Sequence, residues 1–378
     1  MINKRASTLI MAFFLAGAAY GISQEVVRPP QTQGTLIGRM EWATKETDRR
    51  GFRDGWWTGY SIRKLMGEHS SIGSFDHRSR SEATLQEILS GLRAEFPAHS
   101  RDESVKQTAR RELDHLEKEG RPEKKVWKDV AILIQYGKTS KVEPVRVDMS
   151  NLDLHFDLKG LPLFWLEEAT DEESLDWLKR TYRQIESEDI KEHILAAVGI
   201  HQNSGLVIPI LASVLESRES DELRKNAAFW LGQQNDRKAF DILMQTAKKD
   251  RSREVKEGAV FAISQIELEE AVDGLIGLAR TADDEEVRHQ AIFWLGQKAS
   301  NKATVALKNM AYEGGDTKIQ EQAVFALSQL PGNEGVDELV KVAKTHPNAE
   351  VRKKAIFWLG ESGDPRALEV LVEIIKGK

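Results

Sequence analysis

A fixed step of 32 residues runs through the second half of this chain. Phe229, Phe261, Phe293, Phe325 and Phe357 stand one step apart, and so do Leu223, Val255, Val287, Ile319 and Val351. Arg224, Lys256, Arg288, Gln320 and Arg352 keep the same register. So do Leu243, Leu275, Leu307, Leu339 and Leu371, and the small series Ala239, Ala271, Ala303, Gly335 and Ala367. A period of this length makes each unit one supersecondary element, whose apolar face is buried only by its neighbours. Within each period, helical spacing of apolar residues alternates with short turns, so the units are helix pairs from about Asp171 onward.

The residues EEVRHQAIFWLGQ and AEVRKKAIFWLGESGDPRALEVLVEI resemble short bacterial HEAT-like repeats, the type also found in phycobilisome lyases. The shared pattern is an acid, any residue, Val-Arg, small residues, Leu-Gly, a turn, then an Ala-Leu-x-x-Leu helix. The resemblance spans residues 171–378. It implies a mainly α, armadillo-like, right-handed α-solenoid of about six helix pairs plus a terminal helix. DIKEHILAAVGIHQN with GLVIPILASVLESR reads as a degenerate first pair, and DPRALEVLVEIIKGK as a terminal cap.

On a helical wheel with Val287 as origin, Ala291, Trp294 and Leu295 fall within about 80° of it and form one apolar face. That assigns the alternation Trp230, Ala262, Trp294, Ala326, Trp358 to the core. Phe293 falls on the other side, with His289 and Gln297 one turn away. In stacked helix pairs the second helices line the concave surface. The five Phe residues are therefore expected to form a ladder there, accompanied by Gln233, Gln265, Gln297 and Gln329, with Glu361 at the next step. Three roles fit: packing between neighbouring repeats, a groove for a protein or peptide, or a ligand cavity. An exposed apolar stripe marks an interaction surface, and amide side chains can bond a partner's backbone without reading its sequence. Intramolecular docking of LPLFWLEEA onto the stripe is a further alternative. The Arg series, near helix starts, is expected to make ion pairs between repeats with acids such as Glu254.

The remainder of the chain is less regular. Lys4 and Arg5 precede the apolar run Thr8 to Ile22, and small residues follow as far as Ser23. This reads as a signal peptide over residues 1–23; the run is shorter than the ~20 residues a spanning helix needs. The expected location is periplasmic or secreted, in a bacterium, with membrane anchoring only if the segment stays uncleaved. VVRPPQTQG, within a linker over 24–35, reads as a tether. Residues 36–165 read as a small α+β domain: a strand or hairpin in GFRDGWWTGYSI, helices over 81–96 and 102–120, then short strands in VWKDVAILIQY, VEPVRVDM and LDLHFDL.

Composition removes several chemistries. The chain has no cysteine, which excludes disulfides, thiol catalysis and thiolate zinc sites. Its formal net charge of −6 gives no support for a nucleic-acid surface. Deoxyhypusine hydroxylases, which these repeats resemble in fold, hold iron with His-Glu pairs at the third and fourth positions of the second helix. Here those positions read Lys225-Asn226, Glu257-Gly258, His289-Gln290, Glu321-Gln322 and Lys353-Lys354, and Glu192-His193 in the degenerate pair, too few His for such a site. A bilin lyase role conflicts with the export signal. Glu68-His69 and Asp76-His77 are acid–His neighbours in a Ser/Gly-rich stretch. No phosphate loop, nucleophile elbow or HExxH is present. The reading is an exported, non-catalytic scaffold without cofactor, binding a protein or peptide on its concave face. The alternative is an enzyme or ligand-binding protein with its site in residues 36–165.

Overall fold

The computed structural model describes residues 25–31, 34–73, 83–91, 123–137, 142–298, 300–313, 316–330 and 334–376. The expected signal peptide, the helix expected over 102–120 and the pair Asp76-His77 lie outside these residues. The chain divides into two units, up to Trp177 and from Leu178 onward.

In the first unit, helix α1 (Leu36–Arg50) begins at the Thr35 side chain, which accepts from the Gly38 amide, and ends at Gly51 in the left-handed region. Strands β1 (Val26–Val27), β2 (Trp56–Gly67), β3 (Lys125–Tyr136), β4 (Pro144–Asn151) and β5 (Leu163–Glu168) make one sheet in the order β1-β5-β2-β3-β4. β2 and β3 pair antiparallel from Trp56↔Tyr136 to Gly67↔Lys125, and β4 continues antiparallel. β5 runs parallel to both β2 and β1. Two expectations change. Val26 and Val27 are an edge strand rather than tether, and the LDLHFDL run is not a strand of this sheet. It crosses the sheet as an irregular segment and buries Phe156 and Leu158, while LPLFWL supplies β5.

Alternation along the strands explains the two covered faces. Trp57, Leu133, Leu163 and Trp165 point to one side, where Leu85 of α2 (Leu85–Ser90), Phe156 and Leu158 close over them. Tyr60 and Phe164 point to the other, where Trp42 of α1 meets the Phe164 ring edge-on at 5.9 Å and the Tyr60 hydroxyl bonds Ser174 Oγ at 2.9 Å. Glu68 and His69, the acid–His pair among the described residues, make separate contacts. Glu68 pairs with Lys124, and the His69 amide donates to Glu123.

The second unit starts within α3 (Asp171–Gln184) and continues as α4 (Glu188–Gly199), α5 (Ser204–Leu215), α6 (Asp221–Gly232), α7 (Arg237–Lys249), α8 (Arg253–Gln265), α9 (Glu269–Thr281), α10 (Glu285–Gln297), α11 (Asn301–Tyr312), α12 (Thr317–Ser328), α13 (Val336–Thr345), α14 (Ala349–Glu361) and α15 (Pro365–Ile375). Each helix from α6 to α14 with an even number is preceded by a polar cap at a 32-residue step. Ser220, Ser252, Asp284, Asp316 and Asn348 accept from backbone amides in the first turn. These even-numbered helices pack closely side by side, whereas successive odd-numbered ones scarcely touch. The even layer is thus the inner one and the odd layer is splayed outside it. Ala239 with Leu243, Ala271 with Leu275, and Ala303 with Leu307 are fully buried between the layers.

The Arg series ties helices to turns, and Glu254 is not its partner. Arg224 is 2% exposed; it pairs with Asp250 in the turn before α8 and donates from Nε to Leu215 O at 2.8 Å. Lys256 repeats the pattern with Asp284 at 3.1 Å. Arg288 and Arg352 instead donate to carbonyls of their own preceding turns, Ala282 O at 2.7 Å and His346 O at 2.6 Å. The terminal helix α15 leaves Leu368 66% exposed, so one side of it is apolar, unlike the charged outer surface expected of a cap.

Candidate functional site: an aromatic ladder on the inner helices

Where do the Phe and Trp side chains go? The buried arc of α10 comprises Val287, Ala291, Leu295, Ile292 and Gly296. On the wheel it is centred about 90° from Val287, farther round than the apolar residues alone suggest. An inner helix is flanked by two inner neighbours as well as its outer partner, which rotates the buried face toward Ile292. Trp294 then sits at the edge of the core instead of within it. It is half-buried, as are Trp230 and Trp358. Ala262 and Ala326, at the same position of the intervening helices, are fully buried. The Trp/Ala alternation is therefore not a filling of core layers.

Phe229, Phe261, Phe293 and Phe325 are half-buried, and Phe357 is exposed. Two kinds of joint alternate along them. At α6/α8 the rings of Phe229 and Phe261 stack at 6.2 Å, and at α10/α12 those of Phe293 and Phe325 stack at 6.3 Å. In these joints Gly faces Ala. A Cβ on Gly232 would lie 2.6 Å from Ala262 O, and one on Gly296 2.8 Å from Ala326 O. At α8/α10 and α12/α14 the contact is aromatic: Phe261 meets Trp294, and Phe325 meets Trp358, each at 4.9 Å. Within α6, α10 and α14 the adjacent Phe and Trp are edge-on at 5.1, 5.0 and 4.9 Å. The result is an unbroken file of rings: Trp230, Phe229, Phe261, Trp294, Phe293, Phe325, Trp358, Phe357. Inter-repeat packing and partial exposure coexist in the same side chains.

The joints make a prediction of opposite signs for one substitution. Gly232→Ala forces its methyl into the α8 backbone, and overpacking of about 1–3 kcal/mol outweighs the gain of up to about 1 kcal/mol in helix propensity. A Cβ on Gly277 in α9 would instead meet nothing within 4 Å. Gly277→Ala therefore stabilises by about 0.5–1 kcal/mol. Urea denaturation of the two variants checks both signs, and equal shifts would show that the joint is not close-packed.

The Gln ladder borders the rings. Gln233, Gln265, Gln297 and Gln329 are all exposed. Gln265 Nε2 donates to Ser264 Oγ at 2.9 Å and Gln329 Nε2 to Ser328 Oγ at 3.1 Å, the two hydroxyls donating in turn to Phe261 O and Phe325 O. Donating through Nε2 leaves each amide its carbonyl oxygen as an acceptor. The opposite border, one turn before each Phe, is where sequence reasoning missed a feature. Its ends are neutralised: Lys225 pairs with Glu222 and Lys353 with Glu350, each at 2.8 Å. Its centre is not. Among the described residues, Glu257, Glu286 and Glu321 have no ion-pair partner, and Glu286 accepts only from Gln290 Nε2 at 3.3 Å. Burial holds the Glu257 carboxyl above the usual carboxylate range, with Glu286 and Glu254 adding to the effect. Beside it, Glu286, His289, Gln290, Phe293 and Gln322 line a depression of about 310 Å³. His289 Nε2 lies 3.8 Å from Glu285, which also takes Lys318 at 2.9 Å. No group of three or more metal-ligating side chains occurs among the described residues.

Residues 208–296 and 304–378 match the family model for HEAT repeats. No curated protein matches the chain. Among solved structures it is similar to human deoxyhypusine hydroxylase in complex with glycerol, at 22% identity over 52% of this chain and 76% of that one, with a TM-score of 0.24. It is also similar to the complex of CpcE and CpcF of phycocyanin lyase from Nostoc sp. PCC7120, at 20% identity over 53% and 80%, with a TM-score of 0.31. A third is YibA of Escherichia coli, at 19% identity over 54% and 76%, with a TM-score of 0.33.

Proposed function

We propose, for a chain whose residues 208–296 and 304–378 are HEAT repeats, the role of an exported, non-catalytic scaffold that binds a protein or peptide along its inner helices. The carrying observation is the file of half-buried rings ending in the exposed Phe357, bordered by exposed Gln side chains. Ring faces left partly open offer apolar area, and a regular row of amides offers backbone hydrogen bonds at fixed intervals. An extended segment satisfies both at once. The Phe side chains contribute at most about 1.5–3 kcal/mol each on full burial, and losses of motional freedom consume much of that. Several must therefore be engaged together.

The test compares the wild-type chain with Phe261→Ser/Phe293→Ser/Phe325→Ser as bait in a periplasmic extract. Any protein captured is then purified and its Kd measured directly. Each half-buried Phe lost costs on the order of 1 kcal/mol in stability, so the helical circular dichroism spectrum of the variant is expected to persist. The expected outcome is a partner bound by the wild type and at least about tenfold weaker on the variant. Equal affinity for both would return the rings to a packing role alone.

A further inference from the structure

Resting on that reading, we propose that the partner is a cationic segment, and that it places an arginine side chain in the depression between α10 and α12, against Glu286, with Glu257 and Glu321 on either side. The depression lies beside the Phe293 ring and is walled by a carboxylate, two amides and an imidazole. Its carboxylates are in direct ion pairs at the ends, where Lys225 and Lys353 answer Glu222 and Glu350, and in none in the middle, where Arg253 only partly offsets the acids around Glu257. An apolar partner would leave Glu257 partly desolvated and repelled by Glu286, as it is without a partner. An anionic partner would worsen the repulsion. A guanidinium removes it, and its plane suits both parts of the site: the face lies on an aromatic ring while the edge donates pairwise to a carboxylate. A lysine ammonium makes the charge contact but not the stacked one. The flanking Phe–Phe and Phe–Trp joints then take apolar residues on either side of the arginine, and the Gln border takes the backbone.

The test uses the full chain and an array of acetylated random octapeptides with one central position fixed as arginine, citrulline, leucine or glutamate. Citrulline keeps the shape and loses the charge. The expected result is an arginine pool retained about tenfold better than the citrulline pool. In Glu257→Gln/Glu286→Gln that preference falls below about threefold, while the Phe261→Ser/Phe293→Ser/Phe325→Ser variant retains neither pool. The carboxylate variant is expected to fold, because the repulsion and desolvation relieved at Glu257 offset the first-turn charge lost from α10. Its Tm is expected to stay within about two degrees of the wild type, and the measured Tm shows that a lost preference is not unfolding. Equal retention of arginine and citrulline by the wild type overturns this proposal and leaves the groove intact. Retention of no pool by the wild type, or undiminished retention by the Phe variant, overturns the groove itself.

Discussion

Replacing Arg224 with methionine lowers the stability of the repeat array by about 3–5 kcal/mol. The guanidinium is 2% exposed and joins three elements: Leu215 O at the end of α5, Asp221 at the start of α6, and Asp250 in the turn before α8. Methionine fills much of the space and leaves Asp250, 11% exposed, with an uncompensated charge. That residual charge dominates the cost, so a second substitution reduces it. In Arg224→Met/Asp250→Asn the carboxylate is gone, and the amide oxygen still accepts from the Ser252 backbone, a bond of 2.8 Å in the parent. The double variant is expected to recover about half of the loss. Urea denaturation followed by circular dichroism measures both. A single-variant loss below about 1 kcal/mol would mean that the pair is solvated and behaves as a surface contact.

Trp57→Ala is expected to cost the α+β unit about 3–5 kcal/mol. Its ring is fully buried in the middle of the sheet, meets Phe156 edge-on at 5.4 Å and donates from Nε1 to Leu158 O at 3.1 Å. Alanine opens a cavity and removes one of the two hydrogen bonds to the Leu158 carbonyl, which keeps the one from the Leu161 amide at 3.0 Å. Trp57→Phe separates the terms: it keeps most of the volume and loses the hydrogen bond, for a cost of about 1–2 kcal/mol. Amide hydrogen exchange along β2 and β3 reads the difference. If alanine and phenylalanine cost the same, the bond to Leu158 and not the ring volume anchors that segment.

The repeat half was legible because its information is local. Caps, apolar spacing and the Phe step recur within windows of 32 residues, and any one window predicts the next. Trp294 was misplaced because a wheel records the residues of one helix and not the number of its neighbours. Only with inner helices on both sides does Ile292 turn inward and carry Trp294 to the edge. The cap series Ser220, Ser252, Asp284, Asp316 and Asn348 was present at the same step and would have fixed the helix starts. The first half resisted because its sheet is non-local. β5 reaches β2 and β1 from more than 100 residues away, and no local pattern distinguishes a parallel partner from an antiparallel one. The central acids were visible as residue types. What made them a candidate site, the lack of direct ion pairs at Glu257, Glu286 and Glu321 against the paired ends, is a matter of spatial neighbours.

The alternation of joints has a consequence for how such an array can lengthen or shorten. A helix pair bearing Trp and Gly must be followed by one bearing Ala and Ser, because Gly232 and Gly296 approach a backbone that only Ala262 and Ala326 leave open. Excising one pair would set a Trp where that approach occurs, and inserting one would bring two like pairs together. The unit that can be copied or lost without a misfit is two pairs, 64 residues. A ladder built this way grows in double rungs, and a partner that follows it meets the same chemistry again only at every second step.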